Sequence, residues 1–397
     1  MTLSSNICTV ENLLSFFNVN VHPPPKKVYQ IDPSRGFLPS EDPLECLPQG
    51  FEIWERLAAQ VPTLLMTNRL RETLATLTIP DISRLESDRQ LRRAMLLLSI
   101  FGNAYVWGGA KPATTIPRAI AIPWCQIAEK LKRPPITAYA SIVLDNWRRI
   151  DRSQPLDLNN LAPLQLFCGG IDEQWFYLVS MAIEAKGAPA LAAIVAAQKA
   201  VAMGWIEGIR PQLAQIAAAI IEMQRGLERM TEKCDPYIYY HRVRPFLAGW
   251  PETGVIYEGV SDVPQKFAGG SAAQSSLVQS LDAGLGIQHA GNTQSFLQEM
   301  HSYMPPRHRQ FIVAIWSGPS IKQFIIDHQQ SQPALCDLYN HCVEELMNFR
   351  KQHLAIAAQY ILQQAPKEQM GTGGTNFVPF LKKVEAQTKA NLISNVV

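Results

Sequence analysis

The stretch "FRKQHLAIAAQYIL", residues 349–362, has the spacing of a helix with one apolar face. Its apolar residues recur at steps of three or four, which places them on a single stripe of an α-helix. The stripe consists of Leu346, Phe349, His353, Ala357 and Tyr360. A histidine on such a stripe needs a partner: it is either a core residue hydrogen-bonded to a carbonyl or a ligand of a metal or haem iron. These residues alone favour the core histidine.

The remaining histidines offer no metal site. His301 and His308 lie in polar stretches beside arginines, and His22 lies in a proline-rich arm. His341 shares a predicted helix with His353 but is twelve residues away, too far to bind the same ion. No H-E-x-x-H pair occurs.

The same helical spacing extends over most of the chain. Short helices are predicted between about residues 50 and 150, and longer ones follow at 173–186, 190–205, 210–231, 275–286, 293–301, 305–316, 319–328 and 333–363. No strand pairs and no fixed repeat stand out. The sequence therefore predicts an all-α fold. We expect an N-terminal arm (1–35), a small helical domain (36–165) and a larger helical domain (166–397).

Composition excludes several classes of protein. The 397 residues carry a formal net charge of +2, which gives no electrostatic reason to expect nucleic acid or an anionic membrane as a partner. The seven cysteines include no C-x-x-C, so a disulfide framework, a structural zinc site and covalent c-type haem are not expected. The start lacks the pattern of a secretory signal, and charges interrupt the apolar run 178–205. We expect a cytoplasmic protein without a membrane span.

Two long loops are candidate site elements, because long loops in compact domains are often functional. They cover residues 251–274 and 366–376. "FAGGSAAQSS" (267–276) lacks the lysine and the preceding strand of a phosphate loop, so Ser271 is interpreted as a helix cap. "GTGGT" (371–375) fits a flap that touches a ligand, and it equally fits a flexible connection.

Two further segments carry polar side chains among aromatics. In "WFYLVSMAIEAK" (175–186), Phe176 and Ser180 share a helix face, as in a pocket wall or an ordinary helix whose serine bonds back to a carbonyl. In "YIYYHRVRPFLAGW" (237–250), Arg244 is suited to bind a carboxylate, and an interdomain salt bridge is the slightly favoured alternative.

Taken in order along the chain, these motifs resemble the indoleamine 2,3-dioxygenase family of haem-dependent dioxygenases. The matching stretches are "YASIVLDNW" (139–147), "WFYLVSMAIEAK", "RPFLAGW" (244–250), "FAGGSAAQSS", "YMPPRHRQF" (303–311), "FRKQHLAIAAQYIL" and "GTGGT". Weaker similarity extends upstream to about residue 29. The resemblance implies a small N-terminal domain, a larger helical domain that holds haem b, and a pocket between them.

The resemblance also implies roles for individual residues. His353 matches the proximal histidine that ligates haem iron, which reverses the preference for a core histidine. Asp282 and Arg350 match a pair beside that ligand, and Gly270 and Ser271 match a segment near the haem. The positions that match the substrate pocket are Phe176 and Ser180, which contact the indole and oxygen, and Tyr139, Tyr239, Arg244, Ala272 and Thr372. Arg244 matches the residue that pairs with the substrate carboxylate.

The implied reaction inserts both atoms of O₂ across the indole C2=C3 bond of L-tryptophan, giving N-formylkynurenine, as in tryptophan catabolism through the kynurenine pathway. An electron donor would keep the iron ferrous, and a monomer is expected. The chain departs from the mammalian pattern at Tyr239 and Tyr240, where two phenylalanines are usual, and at Ile142, where cysteine is frequent. These departures leave open a different indole substrate. Oxygen carriage without catalysis is a further hypothesis, and a cofactor-free helical interaction protein is the last.

Overall fold

The structure is a computed structural model that describes residues 29–365 and 370–394. The arm predicted at 1–35 lies for its first 28 residues outside this part, and so does His22. Within the described part the fold is all-α, as predicted. Helices α1 to α4 are Glu52–Met66, Leu70–Ala75, Asp88–Trp107 and Arg118–Leu131. Helices α5 to α13 are Ile171–Ala202, Ile206–Glu228, Pro236–Ile238, Ser276–Leu285, Asn292–Met300, Pro306–Ser317, Ile321–His328, Pro333–Ala357 and Phe377–Lys389.

The centre of the fold is the long helix α5, which packs along α6, while α6 packs against α12. The sequence predicted two helices, 173–186 and 190–205, separated near Pro189, and that prediction is wrong. The helix continues through Pro189 because the turn beside it is held by tight packing. At Gly187 a Cβ would lie 2.3 Å from a methyl of Leu277, so α5 and α8 approach closely at this point. Proline removes one hydrogen bond from the interior of the helix, and the packing of the surrounding helices against α5 opposes that cost.

Helix α5 is long and apolar enough to cross a membrane by length and composition, but 61% of its most apolar window is buried inside the protein. Leu178, Leu191 and Ile194 are almost fully buried. It is therefore the core helix of the fold.

Short strands also occur, although the sequence predicted no strand pairs. Strands β1 (Thr115–Ile116), β4 (Val255–Tyr257) and β5 (Ser261–Gln265) form a sheet in which β1 is parallel and β5 antiparallel to β4. Strands β2 (Arg148–Arg149) and β3 (Leu161–Ala162) form an antiparallel pair. With two to five residues each, these strands are too short to produce a pattern of alternation. The predicted loop 251–274 thus contains two strands.

Buried side chains from Tyr29 to Ile393 belong to one continuous apolar cluster. Trp54, Trp124 and Trp147 are fully buried within it. The predicted domain boundary at 165/166 stays a prediction.

Gly102 in α3 is required by the tryptophan packed against it. A Cβ at this position would lie 1.9 Å from Cζ3 of Trp124, which is fully buried in α4 and has no room to move. We therefore expect Gly102→Ala to lower the free energy of unfolding by about 1–3 kcal/mol, since overpacking outweighs the better helix propensity of alanine. Chemical denaturation measures this change.

Gly226→Ala in α6 is the matched control. Its Cβ would lie 3.3 Å from Cγ1 of Ile183, a contact that a small shift relieves. Alanine should therefore be neutral or stabilising there. Equal stabilities of the two variants would contradict the packing argument.

Candidate active site

Helices α5, α8, α12 and α13 and the loops beside them surround a cavity of about 270 Å³. Its wall is largely apolar. All twelve predicted site residues line it: Tyr139, Phe176, Ser180, Tyr239, Arg244, Gly270, Ser271, Ala272, Asp282, Arg350, His353 and Thr372. Six of the seven stretches that carried the resemblance thus contribute residues to one cavity, and "YMPPRHRQF" (303–311) contributes none. The roles of the residues stay predictions.

Three π-helical turns border the cavity. They cover Ala140–Leu144, Tyr239–Val243 and Ala358–Leu362. Each supplies wall residues, which include Ile142, Val143, Tyr239, Tyr360 and Ile361. A π turn widens the helix and re-aims its side chains, and such turns are frequent at functional sites. Residue spacing provided no signal for them.

His353 lies on α12 and faces the cavity, where its side chain is partly accessible. Its imidazole makes no hydrogen bond or ion pair with any described residue, so the carbonyl partner expected of a core histidine is not among them. Burial lowers the pKa of His353 below its ordinary value, so the neutral ring predominates at pH 7. A neutral imidazole with a free nitrogen is the form that ligates a metal.

A buried ion pair lies one helical turn from His353. Arg350 donates to both carboxylate oxygens of Asp282, at 2.6 and 2.8 Å, and the side chains are nearly inaccessible. Nε2 of His289 lies 3.1 Å from Asp282 as well, and Arg350 also donates to the hydroxyl of Thr388 in α13. Burial alone would raise the pKa of Asp282, but Arg350 and His289 more than offset it, so the pKa is lowered and the group is ionised.

Arg244 stands at another part of the wall. Its guanidinium lies over the ring of Tyr240, with 5.2 Å between its central carbon and the ring centroid. One terminal nitrogen donates to the carbonyl of Met370. The Nε is buried and has no partner among the described residues. The interdomain salt bridge that was slightly favoured is therefore not formed within the described part of the chain.

The two glycine-rich segments contact each other. Thr372 donates from its hydroxyl to the carbonyl of Gly270 at 2.6 Å, and the amide of Gly269 donates to the carbonyl of Thr372 at 3.0 Å. Ser271 caps the following turn by accepting from the amide of Ala273, as predicted. The sequence predicted each segment as a separate loop, whereas together they form one wall of the cavity.

The aromatic part of the wall is built by Phe176 and Tyr239, whose ring centroids are 4.5 Å apart. Ser180 lines the cavity and donates to the carbonyl of Phe176 at 2.9 Å. Both alternatives raised for Ser180 thus apply together: the residue belongs to the pocket wall, and its hydroxyl donates to a carbonyl of its own helix.

A buried carboxylate behind the wall escaped the sequence reasoning. Glu184 accepts from the hydroxyls of Tyr139 at 3.0 Å and Ser275 at 2.6 Å, and its other oxygen has no partner among the described residues. Burial raises the pKa of Glu184 to about 7. The signal was a single acidic residue in an apolar run of α5. The sequence reasoning also missed three further residues, because no local pattern distinguishes them. They are Gln274, which accepts from the amide of Tyr139, and Phe377 and Phe380 of α13, which line the cavity.

His308 corrects the interpretation of the histidines. It is buried and packs on Phe37 with 4.5 Å between ring centroids, although the sequence around it is polar. Burial, with Arg92 and Arg133 nearby, lowers its pKa to about 3. His353 is therefore not the only histidine among apolar neighbours, but it is the one of these two that lines the cavity.

No group of three or more His, Cys, Asp or Glu within residues 29–365 and 370–394 could hold a metal ion. Haem makes a different demand, because the porphyrin supplies four of the iron ligands and the protein needs to supply only one. The cavity offers this one nitrogen on a largely apolar wall, so the residues present fit haem.

Comparison with known proteins agrees with this geometry. The family model described as "Indoleamine 2,3-dioxygenase" matches residues 25–391. The chain is 38% identical to "Indoleamine 2,3-dioxygenase 1" of Rattus norvegicus over 392 residues, covering 92% of this chain and 95% of the relative. It is 34% identical to "Indoleamine 2,3-dioxygenase" of Saccharomyces cerevisiae over 390 residues, covering 91% and 85%. It is also 32% identical to "Myoglobin" of Haliotis madaka over 387 residues, covering 91% and 97%.

Glu184 makes the stability of the protein depend on pH. Its pKa of about 7 in the folded state exceeds the ordinary 4.5, so the folded state binds a proton more tightly than the unfolded state. The carboxyl therefore costs no stability below pH 4.5, and it lowers stability as pH rises from there to about 7. Glu184→Gln keeps an acceptor for Tyr139 and removes the titration. Between about pH 5 and 8 we expect this variant to lose less free energy of unfolding than the parent, by at most about 3 kcal/mol.

Urea unfolding at the two pH values measures the difference. Glu252→Gln, which changes an exposed carboxyl in a turn, serves as the control and should behave as the parent. Glu173, whose pKa burial also raises to about 7, contributes equally in all three proteins. The same pH dependence in Glu184→Gln and the parent would refute the assignment.

Proposed function

The chain belongs to the indoleamine 2,3-dioxygenase family, and from this membership we propose that it uses haem b to convert L-tryptophan, or a related indole, and O₂ into N-formylkynurenine or its analogue. The observation that carries the proposal is that His353, without a partner among the described residues, lines the same cavity as Arg244. One residue is suited to hold iron, the other to hold the carboxylate of an amino acid.

His353 would ligate the haem iron through its neutral imidazole. Arg350 and Asp282 would keep α12 in place beside the ligand, since their buried ion pair joins α12 to α8. Gly270 and Ser271 would lie next to the haem. When bound, haem supplies the redox-active iron that O₂ chemistry needs and that side chains cannot provide.

The wall offers complementary surfaces to the two ends of L-tryptophan. Phe176, Tyr139 and Ile142 present an apolar surface for the indole ring. Arg244 would bind the carboxylate, since its only hydrogen bond to a described residue is the one to Met370 and the guanidinium has further N–H groups. Thr372 and Ala272 would lie near the amino acid end.

The reaction breaks the indole C2=C3 bond and adds one oxygen atom of O₂ to each carbon, so no other oxidant or reductant is consumed. No strong base is required of the wall. This agrees with the carboxylate of Asp282 being held by Arg350. The hydroxyl of Ser180 would be an auxiliary donor only, because it already donates to Phe176. The main task of the protein is to orient the indole and exclude water.

Two alternative functions remain as candidates, and one observation supports each of them. The similarity to a protein named myoglobin makes reversible O₂ binding without catalysis the second candidate. The hydroxyls of Tyr239 and Tyr240 leave room for a different indole substrate. Retention of Arg244 and Thr372 on the cavity wall favours the tryptophan dioxygenase. We also propose a cytoplasmic monomer that depends on an external electron donor to keep the iron ferrous.

The decisive test follows haem and product together. Purified protein supplemented with haem should show a Soret band and, under air with a reductant, should convert L-tryptophan into N-formylkynurenine. His353→Ala should lose the haem and hence the product, because the ligand nitrogen is removed. His341→Ala, on the exposed side of the same helix α12, is the matched control and should keep both.

Each failure has its own meaning. A Soret band without product from any tested indole would favour the oxygen-binding protein, and product from another indole alone would change the substrate. Full haem retention in His353→Ala would refute the ligand assignment.

Arg244→Ala tests the carboxylate site. Truncating one partner of a buried charge pair weakens binding by roughly 2–5 kcal/mol, so we expect the KM for L-tryptophan to rise at least about tenfold, with a smaller change in kcat. Steady-state kinetics measures both. Arg242→Ala, an exposed arginine two residues earlier, should leave KM unchanged. An unchanged KM in Arg244→Ala would remove the arginine from the site.

A further inference from the structure

The hydroxyl of Tyr239 has no hydrogen-bond partner in the described part of the chain. The residue is buried and lines the cavity, yet its hydroxyl makes no hydrogen bond with any described residue. Buried tyrosine hydroxyls usually have a partner, because an unpaired one costs free energy. Tyr360, whose ring contacts that of Tyr239, illustrates the rule by donating to the carbonyl of Cys234 at 2.5 Å. The unused hydroxyl of Tyr239 therefore points to a ligand.

The backbone brings this hydroxyl to the same face as Arg244. On an α-helix, residues five apart are separated by about 140° around the axis, because one turn takes about 3.6 residues. Here the segment Tyr239–Val243 is a π turn, and the amide of Arg244 donates to the carbonyl of Tyr239. The wider turn returns Arg244 to the side of Tyr239. Both side chains line the cavity, as this geometry requires.

Arg244 in turn has donors to spare, since a guanidinium carries five N–H groups. One terminal nitrogen donates to Met370, the guanidinium lies over the ring of Tyr240, and its other N–H groups make no hydrogen bond with a described residue. The hydroxyl of Tyr239 and these N–H groups of Arg244 thus have no acceptor among the described residues, and both residues line one cavity. A carboxylate has two oxygens and can accept from both.

The hydroxyl is in the state that donates. Burial raises the pKa of Tyr239 above its ordinary value, although the charge of Arg244 opposes the rise. The phenol is therefore neutral and carries its proton at pH 7.

We propose that Tyr239 is a specificity-determining residue whose hydroxyl donates a second hydrogen bond to the substrate carboxylate held by Arg244, so that the site selects indoles with a carboxylate over indoles with only an amine. This inference rests on the proposed function, whose carboxylate site it deepens.

The test compares two ligands that differ in the carboxylate. L-tryptophan carries it, whereas tryptamine has the same indole and amine without it. Dissociation constants for both are measured by calorimetry on the haem-loaded ferric protein, so that the readout does not depend on turnover. We expect Tyr239→Phe to bind L-tryptophan about tenfold more weakly, which corresponds to about 1.4 kcal/mol, and to bind tryptamine within about twofold of the parent.

Tyr237→Phe is the matched control. It removes the same hydroxyl from an exposed ring, two residues before the π turn begins, and should leave both constants unchanged. Unchanged tryptamine binding by Tyr239→Phe also shows that the pocket of that variant is intact.

The outcomes separate the two proposals. A parent that prefers L-tryptophan to tryptamine, with this preference undiminished in Tyr239→Phe, overturns the inference and leaves the proposed function standing. An equal loss for both ligands places the hydroxyl elsewhere and also overturns the inference. A parent that binds neither ligand overturns the inference together with the proposed function.

Discussion

The buried pair of Arg350 and Asp282 is the interaction on which the rest of the site depends. It joins α12, which carries His353, to α8, and through Thr388 it reaches α13. Removing one partner of a buried ion pair typically costs about 3–5 kcal/mol, because the other charge is left uncompensated. The apolar side chains around an open cavity lack packing contacts on one side, so packing alone does not hold the cavity open. A polar link between the helices supplies the missing stabilisation. The ion pair and its hydrogen bond to Thr388 fix the positions of α8, α12 and α13 relative to one another around the cavity.

The second constraint is local. Three helical segments change to π turns where they meet the cavity, at Ala140–Leu144, Tyr239–Val243 and Ala358–Leu362. A π turn is less favourable than an α turn and persists where its surroundings stabilise it. In return it moves side chains around the helix axis. The presence of both Tyr239 and Arg244 on the cavity wall is one consequence, and the contact between Tyr360 and Tyr239 is another.

The two buried carboxyl groups near the cavity, Asp282 and Glu184, differ in their charge state. Asp282 is ionised and paired, whereas Glu184, without a cation among its hydrogen-bond partners, has a pKa near neutrality because burial disfavours its carboxylate. Glu184 lies behind Tyr139 and does not line the cavity. Among the described residues, the cavity wall presents Arg244 and Arg350 as its cations, and its one carboxylate, Asp282, is paired with Arg350. This suits the proposed haem, which would supply the redox chemistry.

The sequence by itself determined what depends on neighbours along the chain. The spacing of the apolar residues placed His353 on one face of α12. Ser271 acts as the cap that its position predicts. The order of the motifs indicated the family and the twelve residues predicted for the site. Only the tertiary structure decided what depends on distant contacts. Strand β4 pairs with residues 115–116, which are distant in sequence. Helix α5 continues through Pro189 where α8 packs closely beside it. His308 is buried against Phe37. The physical reason is that hydrophobic spacing and capping act within one or two helical turns, whereas burial, π turns and the cavity arise from packing between elements that are far apart in sequence.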